Sequence, residues 1–166
     1  VNTDPKFYGG FQNSVSYQNF QLDIFFEFKK QTGVNYLSNL AGTVPGYKYY
    51  NQPVIVLSRW QNPGDIADIQ KFTSAGGPAL TASNLYLRSS NAIYSDASYI
   101  RLKNVSLSYS IPQSLLKKLH VVNCRIYLQG QNLLTMTNYI GADPENQSLF
   151  VLPPLRTVTA GIQLTL

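Results

Sequence analysis

Side chains able to do covalent or metal chemistry are few here, with eight Asp and Glu, one His and one Cys. Asp23 and Glu27 share one face of a strand-like stretch, FQLDIFFEFK, but four residues at about 3.3 Å each hold them about 13 Å apart. Carboxylate pairs that cleave glycosides stand roughly 5 to 9.5 Å apart, so this pair does not suit that work. Asp65 and Asp68, in PGDIAD, could touch a cation and more naturally cap a turn or a helix start. Cys124 has no partner for an internal disulfide, and His120 has no further Cys with which to build a metal cluster. No nucleophile motif such as GxSxG occurs. The expectation is a chain with no catalytic set, no metal site and no cofactor. The remaining chemistry is recognition: Tyr47, Tyr49, Tyr50 and Trp60 fall in the long connection 31–96, where exposed rings could touch a substrate or a lid protein.

The elements that position these groups read as strands. Every even position from Phe20 to Phe28 is Phe, Leu or Ile, and four of the five odd ones are polar, a period of two. Upstream, Phe11, Val15 and Tyr17 share a face interrupted by Asn13. A two-residue turn at Gln18-Asn19 sets Tyr17 against Phe20, so the two apolar faces merge. A third strand alternates over Val105, Leu107 and Tyr109 and stops at Pro112. Its phase before Val105 is ambiguous: if it follows Val105, Arg101 and Lys103 point outward at the level of lipid phosphates, and otherwise they are ordinary solvated charge. A short connection, 113–119, leads to a strand in which Val122, Cys124, Ile126 and Leu128 face one way and Arg125, Tyr127 and Gln129 the other. The last strand alternates Val158, Ala160, Ile162 and Leu164 against Thr157, Thr159, Gly161 and Gln163.

The expected strands, roughly 7–18, 20–30, 97–110, 121–135 and 155–166, are long enough to cross a bilayer, which needs about 9 to 11 residues of strand, whereas ordinary strands average about 5 to 6. No apolar run of about 18 residues exists, so any crossing is by strand. Charged residues form 13% of the chain, about half the usual share, while aromatics reach the same 13%, a balance that suits a wall with one face in lipid and Tyr rings at its rims. Short connections (18–19 and 111–119) alternate with long ones (31–96 and 136–153), as tight periplasmic turns alternate with extracellular loops in bacterial barrels. This parity puts the chain's end on the periplasmic side. The reading is an all-β, antiparallel transmembrane barrel fragment with two long extracellular loops. Phe20, Leu22, Ile24, Phe26, Phe28, Ile126, Leu128, Val158 and Ile162 face lipid, and Arg125, Tyr127 and Gln129 line the lumen. The thirteen Lys and Arg are scattered and no recognition motif accompanies them, so nucleic acid is not an expected partner.

Three stretches resemble the C-terminal region of SusC/RagA-family TonB-dependent transporters: DPKFYGGFQNSVSYQNFQLDIFFEF at 4–28, SDASYIRLKNVSLSYSIP at 95–112 and RIYLQGQNLLTMTNYIGADPE at 125–145. The ending LPPLRTVTAGIQLTL at 152–166 resembles that family too, and RWQNPGDIADIQKF at 59–72 does so more weakly. Thr159, Gly161, Leu164 and Leu166 are similar to the outer-membrane assembly signal, although that signal usually ends in an aromatic residue. The resemblance implies a bacterial outer-membrane importer of a large nutrient, glycan or peptide. Its barrel has about 22 strands around a plug, and residues 1–166 would form only the C-terminal part. Implied partners are the remainder of the barrel and its plug, a SusD-like surface lipoprotein, the TonB complex acting through the plug, and outer-membrane lipid. Five strands alone leave two unpaired edges, which lipid does not tolerate, so they are not expected to form a pore by themselves. The alternative in a different class is a soluble extracellular carbohydrate-binding β-sandwich, whose apolar face would pack on a second sheet.

Overall fold

A computed structural model describes the chain except residues 41–43, 47–50, 75, 83–86, 88, 118–120, 149 and 166. Five long strands form one antiparallel sheet: β1 (Phe7–Tyr17), β2 (Phe20–Lys30), β5 (Tyr99–Ser110), β6 (Asn123–Thr137) and β7 (Thr157–Thr165), neighbours in that order. β1, β5 and β6 each pair with the next strand in sequence, whereas the second neighbour of β2 is β5, beyond the first long connection. The connection 31–98, expected as plain loop, carries its own hairpin at its base, β3 (Thr32–Val34) against β4 (Tyr94–Asp96), and short helices α1 (Leu37–Leu40) and α2 (Pro78–Thr81). A further one-turn helix, α3 (Gln113–Leu116), follows Pro112 in the short connection between β5 and β6.

Register shows why the sheet has two unlike faces. Tyr17 pairs with Phe20, Phe20 with Tyr109, Tyr109 with Ile126 and Ile126 with Ile162. A second row runs Val15, Leu22, Leu107, Leu128, Ala160. Apolar residues therefore meet apolar residues across all five strands, and cross-strand pairs of this kind hold a sheet in register. The opposite face carries Ser14, Asp23, Ser106, Gln129 and Thr159 in one such row. No described residue covers this part of the apolar face: Phe20, Ile126, Leu128, Val158 and Ile162 are between 44% and 66% exposed. A contiguous apolar surface of this extent needs another apolar phase against it. A β-sandwich would supply that from a second sheet, yet the other sheet among the described residues is the two-stranded β3–β4 hairpin. Among the described residues, the buried apolar side chains Val44, Val56, Ile69, Ile93 and Ala97 belong to the long connection, so most of the core sits in this cap, while Leu116 and Cys124 are buried at the short-turn end of the wall.

A β-bulge resolves the ambiguous phase of β5. Phe25 pairs with Asn104 but Phe26 with Leu102, leaving Lys103 as an extra residue. The alternation slips by one there, so Ile100 and Leu102 join the apolar face with Val105, and Arg101 lies on the polar face. Reading Arg101 and Lys103 as outward at phosphate level, or as simply solvated, is thereby corrected: Arg101 is 1% exposed. Across the same point β6 kinks at Asn132, whose φ is +52°, and the Asn132 amide donates to the Leu155 carbonyl at 3.2 Å. This left-handed residue, which Asn tolerates better than most, sits in the register shift between Gln131 and Leu134, beyond which pairing with β5 resumes and β6 runs to Thr137, past the expected end at 135.

Gly161 faces Tyr127 across β6 and β7, and a Cβ at Gly161 would overlap the Tyr127 ring. The ring lies over the glycine, which removes the backbone exposure a glycine otherwise brings to a strand. In the full-length barrel in detergent, Gly161→Val is expected to cost about 1–3 kcal/mol in unfolding free energy through overpacking, with Tyr127→Ala in the same chain recovering part of it. Equal loss in the presence and absence of the ring would refute this pairing.

At the base of the long connection, Asp96 accepts from the Ser98 hydroxyl and from Lys30 Nζ at 3.0 Å. These bonds, that of Ser98 first, hold the Asp96 carboxyl down at about 2. A depressed carboxylate lends stability that is complete above its unfolded value of about 3.9 and is lost as pH falls through the folded one. Hydrogen exchange at Thr32–Val34, corrected for intrinsic rates, is therefore expected to stay constant from pH 7 to about 4 and to quicken towards 2. Asp96→Asn should abolish that dependence.

Candidate site on the polar face where two long loops meet the barrel wall

Charge is concentrated at the loop end of the polar face. Arg101, placed there by the bulge, directs Nη2 to Asp143 and Nη1 to Glu145, each at 2.5 Å, and Nε to the Thr135 hydroxyl at 3.0 Å. Lys103 reaches Glu27 Oε2 at 2.9 Å and Glu145 at 3.4 Å. The other oxygen of Glu27 accepts from the Tyr99 hydroxyl at 2.9 Å, and the Arg101 guanidinium lies 5.2 Å from the Tyr99 ring centre. Three carboxylates and two cations thus form one network across β2, β5, β6 and the second long connection, 138–156.

Arg101 and Asp143 are both almost wholly buried, at 1% and 5%. Burying two charges costs several kcal/mol each, offset only when hydrogen bonds satisfy what remains of both. That condition is met. Asp143 turns its second oxygen to the backbone N–H groups of Glu145 and Asn146, which closes the turn 143–147. A planar guanidinium suits such forked bonding, and a lysine ammonium does not.

The same turn holds the first long connection. Gln31, buried where β2 ends, donates to the carbonyls of Pro144 at 2.9 Å and Ala97 at 3.3 Å. Gln147 Oε1 accepts from the Val34 N–H at 3.0 Å, while the Tyr139 hydroxyl donates to the Val34 carbonyl at 2.6 Å. Gly33 admits this contact, since a Cβ there would run into the Gln147 amide. Burial raises the pKa of the Tyr139 hydroxyl above the usual tyrosine value, which keeps it a donor. Arg101 therefore fixes the second connection to the wall, and the second fixes the base of the first.

The residues singled out from sequence fall in several places. Arg125, Tyr127 and Gln129 lie on the polar face of β6 opposite Gln163, Gly161 and Thr159. The nine apolar residues expected to meet lipid all share the opposite face. Thr159 and Gly161 lie on the polar face of β7 and Leu164 on the apolar one; Leu166 lies outside the described residues. Tyr47, Tyr49 and Tyr50 also lie outside them, and Trp60 is half-buried, its backbone N–H donating to the Ile69 carbonyl at 2.8 Å. Asp65 accepts from the N–H groups of Gln61 and Asn62, a turn cap that lowers its pKa. Asp23 is bonded by Ser14 and Gln21 and is not paired with Glu27. Sequence reasoning missed Asp143, Glu145, Gln31, Gln147 and Tyr139. A signal was available: an arginine within a membrane-length strand needs a partner, and the acidic pair in GADPE is the nearest supply on the following connection.

Arg101→Ala in the full-length protein leaves Asp143 buried and uncompensated, a change that costs about 3–5 kcal/mol for such pairs. The expected outcome is faster limited proteolysis within 138–156 while the barrel stays intact. Arg101→Met combined with Asp143→Leu should restore part of the resistance. Unchanged cleavage in Arg101→Ala would show that the loop is held elsewhere.

No protein-family model matches the chain. It is similar to two receptors of Formosa agariphila: TonB-dependent receptor P3, 32% identical over 85% of this chain, and TonB-dependent receptor P26, 30% identical over 97% of it. The chain spans 13% and 17% of the lengths of these relatives. Among solved structures it resembles a chain of the RagAB peptide importer in its open-open state, with a TM-score of 0.69 and 26% identity, covering 99% of this chain and 17% of that one. In the closed-closed state the TM-score is 0.72 at 28% identity, covering 97% and 17%. The one-faced apolar sheet, the alternation of short and long connections and these relatives agree, and the chain belongs to the TonB-dependent receptors of the SusC/RagA type, as part of their β-barrel.

Proposed function

We propose that residues 1–166 form the C-terminal part of the barrel wall, with two extracellular loops, of an outer-membrane importer that takes up a large nutrient of the glycan or peptide class. The observation that carries this reading is the five-stranded sheet with one face apolar and uncovered and the other polar and charged. Lipid on one side and a hydrated lumen on the other are the surroundings such a sheet requires. Phe20, Leu22, Ile24, Phe26, Phe28, Ile126, Leu128, Val158 and Ile162 then meet lipid, and Arg125, Tyr127 and Gln129 line the passage or hold the plug. The connections 31–98 and 138–156 leave the same end of the sheet, opposite the short turns at 18–19 and 111–122. That end is the extracellular one in this reading, which returns β7 to the periplasm, where Thr159, Gly161, Leu164 and Leu166 serve assembly.

Energy would reach the transporter through the TonB complex and the plug, both outside these residues. A SusD-like lipoprotein closing over the loop end is the partner that RagAB, a peptide importer, suggests. The loop network favours recognition by a preset surface, because the two connections are bonded to each other and to the wall instead of standing free. Trp60 and the Tyr47, Tyr49 and Tyr50 group would present rings to substrate or to that lipoprotein.

Deleting residues 40–90 from the full-length transporter is expected to reduce uptake at least tenfold while leaving heat-modifiable barrel mobility on gels unchanged. Uptake at the original rate would remove this loop from recognition.

A further inference from the structure

A groove of about 450 Å³ opens on the apolar face at the loop end of β1, β2, β5 and β6. Phe7, Phe28, Ile100 and Met136 form its apolar part, and Lys30 and Asn138 stand at its upper rim. Phe7 and Phe28 meet edge to face, with ring centres 6.4 Å apart, and together form one wall of the groove. The floor is sheet: Phe28 pairs with Ile100 and Ile100 with Met136. A Cβ at Gly9 would press on the Phe28 ring, so the glycine is what allows that ring to lie against β1.

Two observations indicate the occupant. The groove is continuous with the face that carries Ile24, Leu107 and Leu128, the face assigned to lipid, so what borders it is acyl chain and not water. Its polarity also runs in one direction, from rings and aliphatic side chains below to the Lys30 ammonium, its partner carboxylate Asp96 and the Asn138 amide above. Lys30 is paired with Asp96 at 3.0 Å yet remains 43% exposed, so it can reach a headgroup oxygen while keeping that ion pair. An apolar slot topped by an exposed ion pair, whose ammonium has hydrogens left to donate to a headgroup oxygen, matches an amphiphile with a polar, phosphate-bearing head.

We propose that this groove is a specific lipid site, holding one acyl chain of an outer-leaflet lipid with its phosphate against Lys30. The proposal rests on the apolar face meeting lipid, and the test separates the two. A bound chain here would brace β5 directly behind Arg101, since Ile100 and Arg101 are adjacent residues on opposite faces of one strand.

The experiment uses the full-length receptor, delipidated in detergent and titrated with phosphatidylglycerol as the probe, with bound lipid counted by native mass spectrometry. The wild type is expected to retain one molecule beyond exchangeable lipid. Ile100→Trp, which fills the groove, should lower that retention at least tenfold, and Lys30→Gln about threefold. Ile162→Trp, on the same face but outside the groove, should leave retention as in the wild type. Retention unaffected by Ile100→Trp, or lost equally with Ile162→Trp, overturns the site. In parallel, Ile162→Cys carrying a bimane label is placed in vesicles of brominated lipid. Quenching there with no groove-dependent retention overturns the groove alone, whereas absence of quenching overturns the lipid-facing assignment beneath it.

Discussion

A strand offers only two faces, and in this sheet they must meet opposite surroundings. That constraint governs the rest of the molecule. Side chains alternate with a period of two, so one extra residue exchanges the faces for everything beyond it. Lys103 is such a residue. Without the bulge, the phase set by Val105, Leu107 and Tyr109 would turn Arg101 toward the apolar side and Ile100 and Leu102 toward the polar side. With it, the apolar face runs unbroken to the loop end and a guanidinium arrives where three carboxylates stand.

The consequence is an unusual division of labour between wall and cap. The wall has scarcely any core of its own and depends on apolar surroundings for its stability. Buried apolar side chains collect in the long connection, while a polar network joins cap to wall. Glu27 and Tyr99 belong to the wall, Asp143 and Glu145 to the loop, and Arg101 and Lys103 reach from the wall to both sets. Forked bonding from a planar donor gives this junction direction as well as strength, which a hydrophobic contact would not.

The architecture was legible in the sequence to the extent that it rests on alternation. Phe20 to Phe28 identify a strand and its face without further information, and the Gln18-Asn19 turn fixes the partner; the five strands occur near the expected bounds. Alternation is silent at the bulge, because an added residue leaves no mark in composition, and so the side on which Arg101 lies stays open in the sequence. Loop contacts were equally hidden. Gln31, Tyr139 and Gln147 are ordinary loop residues until the fold brings segments more than a hundred positions apart within hydrogen-bond distance. The family resemblance was readable because it lies in contiguous strings such as RLKNVSLSYSIP, whereas the pairing of Arg101 with Asp143 exists only in space.

Gln31 and Gln147 connect the two long loops through backbone atoms and through each other's turns, and this bears on how such receptors can diversify or be re-engineered. A loop grafted from a relative would arrive without its counterpart's matching turn, leaving a buried amide or carbonyl unanswered at the seam. Viable chimeras should therefore exchange both connections together with Gly33, Arg101 and Thr135. The natural unit of variation at this end of the barrel is thus a module of paired loops with their shared footing.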